Sequence, residues 1–139
     1  MITPDIQFQT AIRAALTADP VVTALVPADH IRAGSTRPDK WPTIILANPQ
    51  TMNLGWASQG QKLARVFFDL HIWAVEDGAD LARKIGFVAS EALWDAPASS
   101  VIGIDDYTRP SFTYMRDPDP ERAYCHGVGT VEAVLRWRV

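Results

Sequence analysis

The stretch from Arg65 to Val75 constrains this chain more than any other. Val66, Phe68, Leu70, Ile72 and Ala74 share one parity, while Phe67, Asp69, His71, Trp73 and Val75 share the other, the period of two that a β-strand imposes. Five apolar side chains on one face require a covering layer, and large apolar groups on the second face require cover there too. At eleven residues this strand is about twice the usual length. Part of it is therefore expected to project beyond the helices that cover its middle.

Those helices are legible on either side. Thr3 before Pro4 reads as an N-cap with proline at the first helical position, and Phe8, Ile12, Ala15 and Leu16 follow at helical spacing to about Ala18. Asp19-Pro20 ends that helix and caps a short helical turn through Leu25 and Val26. After the break at Asp77-Gly78, Leu81, Ile85, Val88, Ala89 and Ala92 trace one stripe of a further helix ending near Trp94.

Shorter strands are predicted at His30–Ala33 and Pro42–Ala47, read as a hairpin. Two more are predicted, one through Tyr107 and Phe112 to Met115 and a final one that runs to Val139, a second hairpin around Asp117-Pro118-Asp119-Pro120. In the last strand Val131, Ala133, Leu135 and Trp137 face one way, and Thr130, Glu132, Arg136 and Arg138 the other. The expected fold is α+β, a mixed or antiparallel sheet of about four to five strands packed by two helices, with all 139 residues in one domain.

Between Asn48 and Leu63 the periodicity disappears. Gly55, Gly60 and several amides suggest an irregular, mobile loop over 48–63, longer than compact domains usually carry without a functional reason. It holds Met52, Leu54 and Trp56, and tryptophan is enriched at the energetic centres of interfaces. Two readings stay open: the loop reaches a partner, or it folds back and Trp56 plugs the edge of the core. The other four tryptophans, Trp41, Trp73, Trp94 and Trp137, are expected in the core.

Charge and chemistry exclude several classes. Thirteen Lys and Arg against sixteen Asp and Glu, without a basic cluster, do not suit tight nucleic-acid binding. One cysteine, Cys125, forms no intrachain disulfide and no multi-cysteine zinc site. The start Met1-Ile2-Thr3-Pro4-Asp5 lacks the basic residues of a signal peptide, and no apolar run approaches the roughly 20 residues of a membrane span.

Cys125 and His126 are strand neighbours and point apart, so they make no thiol and imidazole pair. Asp69 and His71 share a face and could form the acid and imidazole part of a hydrolase, but no nucleophile motif accompanies them. Asp117, Asp119 and Glu121 alternate as in a calcium loop, yet prolines intervene and the glycine and distal glutamate are missing. Gly127-Val128-Gly129 opens a strand, so it marks close packing or a bulge instead of a phosphate site. Asp105 and Asp106 diverge as strand neighbours. No catalytic residue, cofactor or metal ligand is assigned, and the chain is read as a non-enzyme.

Ala18-Asp19-Pro20-Val21-Val22-Thr23-Ala24-Leu25-Val26, then His30-Ile31-Arg32, then Trp41-Pro42-Thr43-Ile44-Ile45-Leu46 resemble the start of the tail-completion proteins of tailed phages, also found in prophages and gene transfer agents. Phe68-Asp69-Leu70-His71-Ile72-Trp73-Ala74 looks like that family's long strand, Asp77 to Leu93 its following helix, and Arg122 to Arg138 its C-terminal hairpin. The order and spacing of these short motifs carry the resemblance across nearly the whole chain. Asp117-Pro118-Asp119-Pro120 is a stiffer turn than the family pattern suggests.

The resemblance implies a structural virion protein, made and assembled in the bacterial cytoplasm and placed in the virion tail at its junction with the head. It implies a ring, commonly hexameric, that caps the tail tube, ends its polymerisation and joins the tail to the head connector or stopper protein. DNA would pass through the channel without specific binding, and no membrane is involved. On this reading Met52, Leu54 and Trp56 are expected at subunit or tube contacts, and Arg136 and Arg138 in polar interface pairs. The rivals are another connector or tail-tube subunit, a small hydrolase using Asp69 and His71, and a ligand-binding module.

Overall fold

The computed structural model describes residues 1–76, 79–117 and 123–139. Its elements in chain order are α1 (Pro4–Ala18), α2 (Pro20–Leu25), β1 (Ile31–Ala33), β2 (Thr43–Ala57), β3 (Gln61–Val75), α3 (Asp80–Ala92), β4 (Gly103–Thr108), β5 (Phe112–Arg116) and β6 (Tyr124–Arg138). The α+β expectation holds. Among the described residues the sheet is mixed and has six strands, ordered β1-β2-β3-β6-β4, with β5 also on β6.

The extra strand is a division of an edge. β4 pairs with β6 from Arg136 back to Glu132, and β5 continues along β6 from Gly129 to Cys125. The two are consecutive segments along one side of β6, interrupted around Pro110, which cannot donate to a ladder. β5 lies close over its neighbour because β6 is stripped of side chains there. A Cβ on Gly129 would come within 2.8 Å of the Phe112 ring and 2.9 Å of the Ser111 carbonyl oxygen, and one on Gly127 within 3.0 Å of the Tyr114 ring. The glycine pair is thus a close-packing device.

β3 is the axis of the sheet, fifteen residues long and about 50 Å end to end. Ala64, Val66, Phe68, Leu70, Ile72 and Ala74 are buried on its helix side. There α1 contributes Phe8, Ile12 and Leu16, α3 contributes Ala82, Ile85, Ala89 and Leu93, and β6 contributes Val131, Ala133 and Leu135. The Phe8 and Phe68 ring centroids are 5.9 Å apart.

Local capping explains the helix limits. Asp19 Oδ1 accepts hydrogen bonds from the amides of Val21 (2.8 Å) and Val22 (3.3 Å), satisfying free donors at the start of α2. The start of α3 is capped from a distance, since Glu76 accepts from the amides of Leu81 (2.7 Å) and Ala82 (3.1 Å). At its other end the Tyr107 hydroxyl donates to the Leu93 carbonyl at 2.6 Å, and burial pushes that phenol up to about 12.

Three expectations need correction. β1 and β2 are parallel instead of a hairpin, with Ile31 opposite Ile44 and Ala33 opposite Leu46. Residues 34–42 make the return. Arg32 holds them by donating to the carbonyls of Ser35 (3.1 Å) and Arg37 (2.9 Å) and pairing with Asp39 at 3.5 Å. Residues 48–63, expected as an irregular loop, are the outer halves of β2 and β3 joined by a short 3₁₀ turn, Ser58–Gly60. Trp94, expected in the core, is 50% exposed, with the Arg109 guanidinium stacked 4.0 Å from its ring.

Candidate functional site

Among the described residues, the outer half of β2 beyond β1 is a free edge of the sheet, while β3 beside it stays paired with β6 out to Gln61. β2 is buried from Thr43 to Ala47 and exposed from Asn48 to Trp56, although β3 beside it keeps Ala64 and Val66 buried. From Asn48 to Gln61 the β2–β3 hairpin contains no charged residue, an unusual composition for a segment in water. Gln59 and Gly60 turn with φ of 62° and 70°, the left-handed region that glycine enters without cost. Arg138 clamps this turn, donating to the Gln59 carbonyl at 3.1 Å and to its side-chain oxygen at 3.2 Å.

Met52, Leu54 and Trp56 are 55%, 45% and 67% exposed. Trp56 therefore does not plug the core. The three do not form one patch. Register shifts fall between Ala47 and Gln50 and between Asn53 and Gly55, and each inserted residue reverses the facing of the residues after it. Met52 is opposite Arg65 on the face away from the helices. Trp56 is opposite Lys62 on the helix side, with the Lys62 ammonium 5.2 Å from its ring centre. Leu54 is the residue inserted at the second shift. The hairpin thus presents apolar groups on both faces.

Arg136 and Arg138 lie on the face away from the helices, each with a partner inside the chain. Arg136 makes a two-pronged pair with Asp105, and the Arg138 contacts are those to Gln59. Asp106 is engaged separately by Arg65 at 3.0 Å, which also reaches Glu132 at 3.3 Å. The neighbouring carboxylates Asp105 and Asp106 are therefore two ion pairs, with no acid and base arrangement between them.

Asp69 and His71 do not form a dyad. Asp69 accepts from Asn48 Nδ2 at 3.0 Å and from Thr130 Oγ1 at 3.0 Å, while His71 Nδ1 lies 2.7 Å from His126 Nε2. The two imidazoles share one proton in that bond. His126 stacks on Trp73 at 3.9 Å, and Trp41 stacks on Tyr124 at 4.3 Å. With Ile45 and Ala47 this makes a second small core on the uncovered face. His71 Nε2 and Trp73 Nε1 are buried there without a hydrogen-bond partner among the described residues.

Burial and the neighbouring His71 push His126 down to about 4, and burial also lowers His71; Asp69 and Asp117 pull weakly the other way. In the unfolded chain both imidazoles titrate near 6.5. As pH falls the unfolded chain therefore binds protons first, so stability is full above about 6.5 and declines toward about 4. Discounted for partial exposure, the loss is about 1–2 kcal/mol. Urea midpoints at pH 7.5, 5.5 and 4.5 should show this slope, and His126→Gln should flatten it.

Cys125 is buried in the main core, where burial raises its thiol, and points away from His126 as expected. Asp119 and Glu121 of the suggested calcium loop lie outside the described residues. Among the described residues no group of three or more His, Cys, Asp or Glu side chains is placed to hold a metal ion, and no helix is long and apolar enough to cross a membrane.

The fold matches a chain in the solved structure titled "Virion of native gene transfer agent (GTA) particle", with a TM-score of 0.71, 17% identity, and coverage of 98% of this chain and 99% of that one. No curated protein matches the sequence. The family model described as tail completion protein gp17 matches residues 10–136, taking in the greater part of α1, all of α3, the whole hairpin and nearly all of the sheet, so the chain belongs to the tail completion protein gp17 family.

Proposed function

We propose that this protein is a tail terminator. Copies of it form a ring on the finished tail tube, hexameric as the sequence resemblance implies. The ring ends polymerisation and carries the surface that joins the tail to the head connector. The observation that carries the reading is the hairpin: an uncharged sheet edge with Met52, Leu54 and Trp56 exposed on different faces. Exposed apolar surface of this kind costs solubility unless a partner covers it. Met52, Leu54 and Trp56 are assigned to contacts with the tube or a neighbouring copy. Arg136 and Arg138, held by partners in their own chain, are assigned to the polar rim.

A net charge of −3 suits a channel that DNA traverses without being gripped. The hydrolase alternative loses its basis, because Asp69 and His71 are each committed to other partners. The test is deletion of the gene followed by negative-stain electron microscopy of the products. Filled heads separated from overlong or unjoined tails are expected. Intact joined particles would refute the proposal, and normal tails lacking only the attachment of heads would shift the role to a connector.

A further inference from the structure

The strand register specifies how copies can join. At the hairpin end, Gln50 is opposite Phe67, Phe67 opposite Glu132, and Glu132 opposite Thr108. Further out, Met52, Arg65, Val134 and Asp105 form a second such row. The outer side of β2 over residues 50–55 and the outer side of β4 therefore lie at the same height on opposite edges of one sheet. β1 covers β2 only at Ile44, Ile45 and Leu46, and among the described residues nothing pairs with the outer side of β2 beyond them or with that of β4.

Directions match as well. β2, β3, β6 and β4 are successively antiparallel, so β4 runs opposite to β2. A rotation about an axis along the strands keeps each direction, which brings β4 of one copy beside β2 of the next as an antiparallel pair, the more favourable ladder. Charge protects neither edge against pairing. The exposed part of β2 has no charge and a single proline, Pro49, at its beginning. The carboxylates of Asp105 and Asp106 on β4 are neutralised by Arg136 and Arg65. The register shift between Asp105 and Thr108, with Asp106 at φ 43°, is a bulge of the kind that curves a sheet toward closure.

We propose that copies of this chain join edge to edge, residues 50–55 of β2 in one copy adding antiparallel to residues 103–108 of β4 in the next, so that the hairpin ends merge into one closed wall of strands. This rests on the ring reading and names the contact that builds it. A head-to-tail contact between unlike edges closes a ring and leaves neither edge open, whereas a two-fold pairing of β2 with β2 stops at two copies and leaves β4 bare.

The test places Gln50→Cys and Thr108→Cys together in the full chain, assembled into particles and mildly oxidised. Opposed Cα atoms in an antiparallel ladder are about 4.5–5.5 Å apart, within disulfide reach. Non-reducing electrophoresis should show a ladder of covalent multimers ending at a closed ring, with either single variant remaining monomeric beside the buried Cys125. A covalent dimer from Gln50→Cys alone would mean β2 against β2 and overturn the proposal. Rings seen by electron microscopy that yield no ladder, either from this pair or from Met52→Cys with Thr108→Cys, would overturn edge joining while leaving the ring intact. Particles whose junction holds no ring of this chain would sink the ring reading itself.

Discussion

Replacing Met52, Leu54 and Trp56 together by alanine should leave the chain folded and reduce head-to-tail joining at least a hundredfold. All three side chains are exposed in the isolated chain, so truncating them changes folding stability by about 0.5 kcal/mol or less. Their burial against a partner would remove about 1.5–3 kcal/mol each from water, and every 1.4 kcal/mol lost is about tenfold in affinity. Because Met52 and Trp56 lie on opposite faces of the hairpin, the two single variants should have separable effects if each face meets a different surface. Thermal melting and a count of joined particles provide the two readouts. A triple variant that unfolds would make these residues part of the core, and one that joins normally would remove the hairpin from the assembly.

Phe68→Ala should be the most damaging single truncation in the fold. Phe68 is 1% exposed at the centre of β3, against Phe8 of α1 and opposite Val131 of β6. Emptying such a site costs about 3–5 kcal/mol, a large share of the roughly 7–20 kcal/mol expected for a chain of this size. The neighbouring Phe67 points to the opposite face and is only half buried, so Phe67→Ala should cost clearly less. Urea denaturation of the two variants compares the faces directly, and an equal or reversed order would contradict the assigned parity of β3.

The inner part of the molecule could be anticipated from the sequence because burial writes a period into it. Phe8, Ile12 and Leu16 recur as a helix stripe, Val66 to Ala74 alternate as a half-buried strand, and Asp19-Pro20 has the chemistry of a cap. The hairpin lacked such a signal. A strand exposed on both faces has no reason to alternate apolar with polar residues, and its two bulges shift the phase of whatever alternation exists. Its real trace in the sequence was a long absence of charge from Asn48 to Gln61, a pattern that serves a hairpin at a sheet edge as well as a loop. The distant cap by Glu76 and the parallel return to β2 were equally hidden, since both depend on where Glu76 and residues 34–42 lie in space.

By itself, then, the sequence determined the α+β class, the positions of the helices, the buried face of β3 and the family, because each is carried by local periodicity, capping chemistry or the order of short motifs. Only the tertiary structure decided that β1 runs parallel to β2, that Asp69 and His71 are separated by other partners, and that Trp56 stands in water on the face opposite Met52. These are consequences of register, and register is settled by packing between segments far apart in the chain, which no local pattern records.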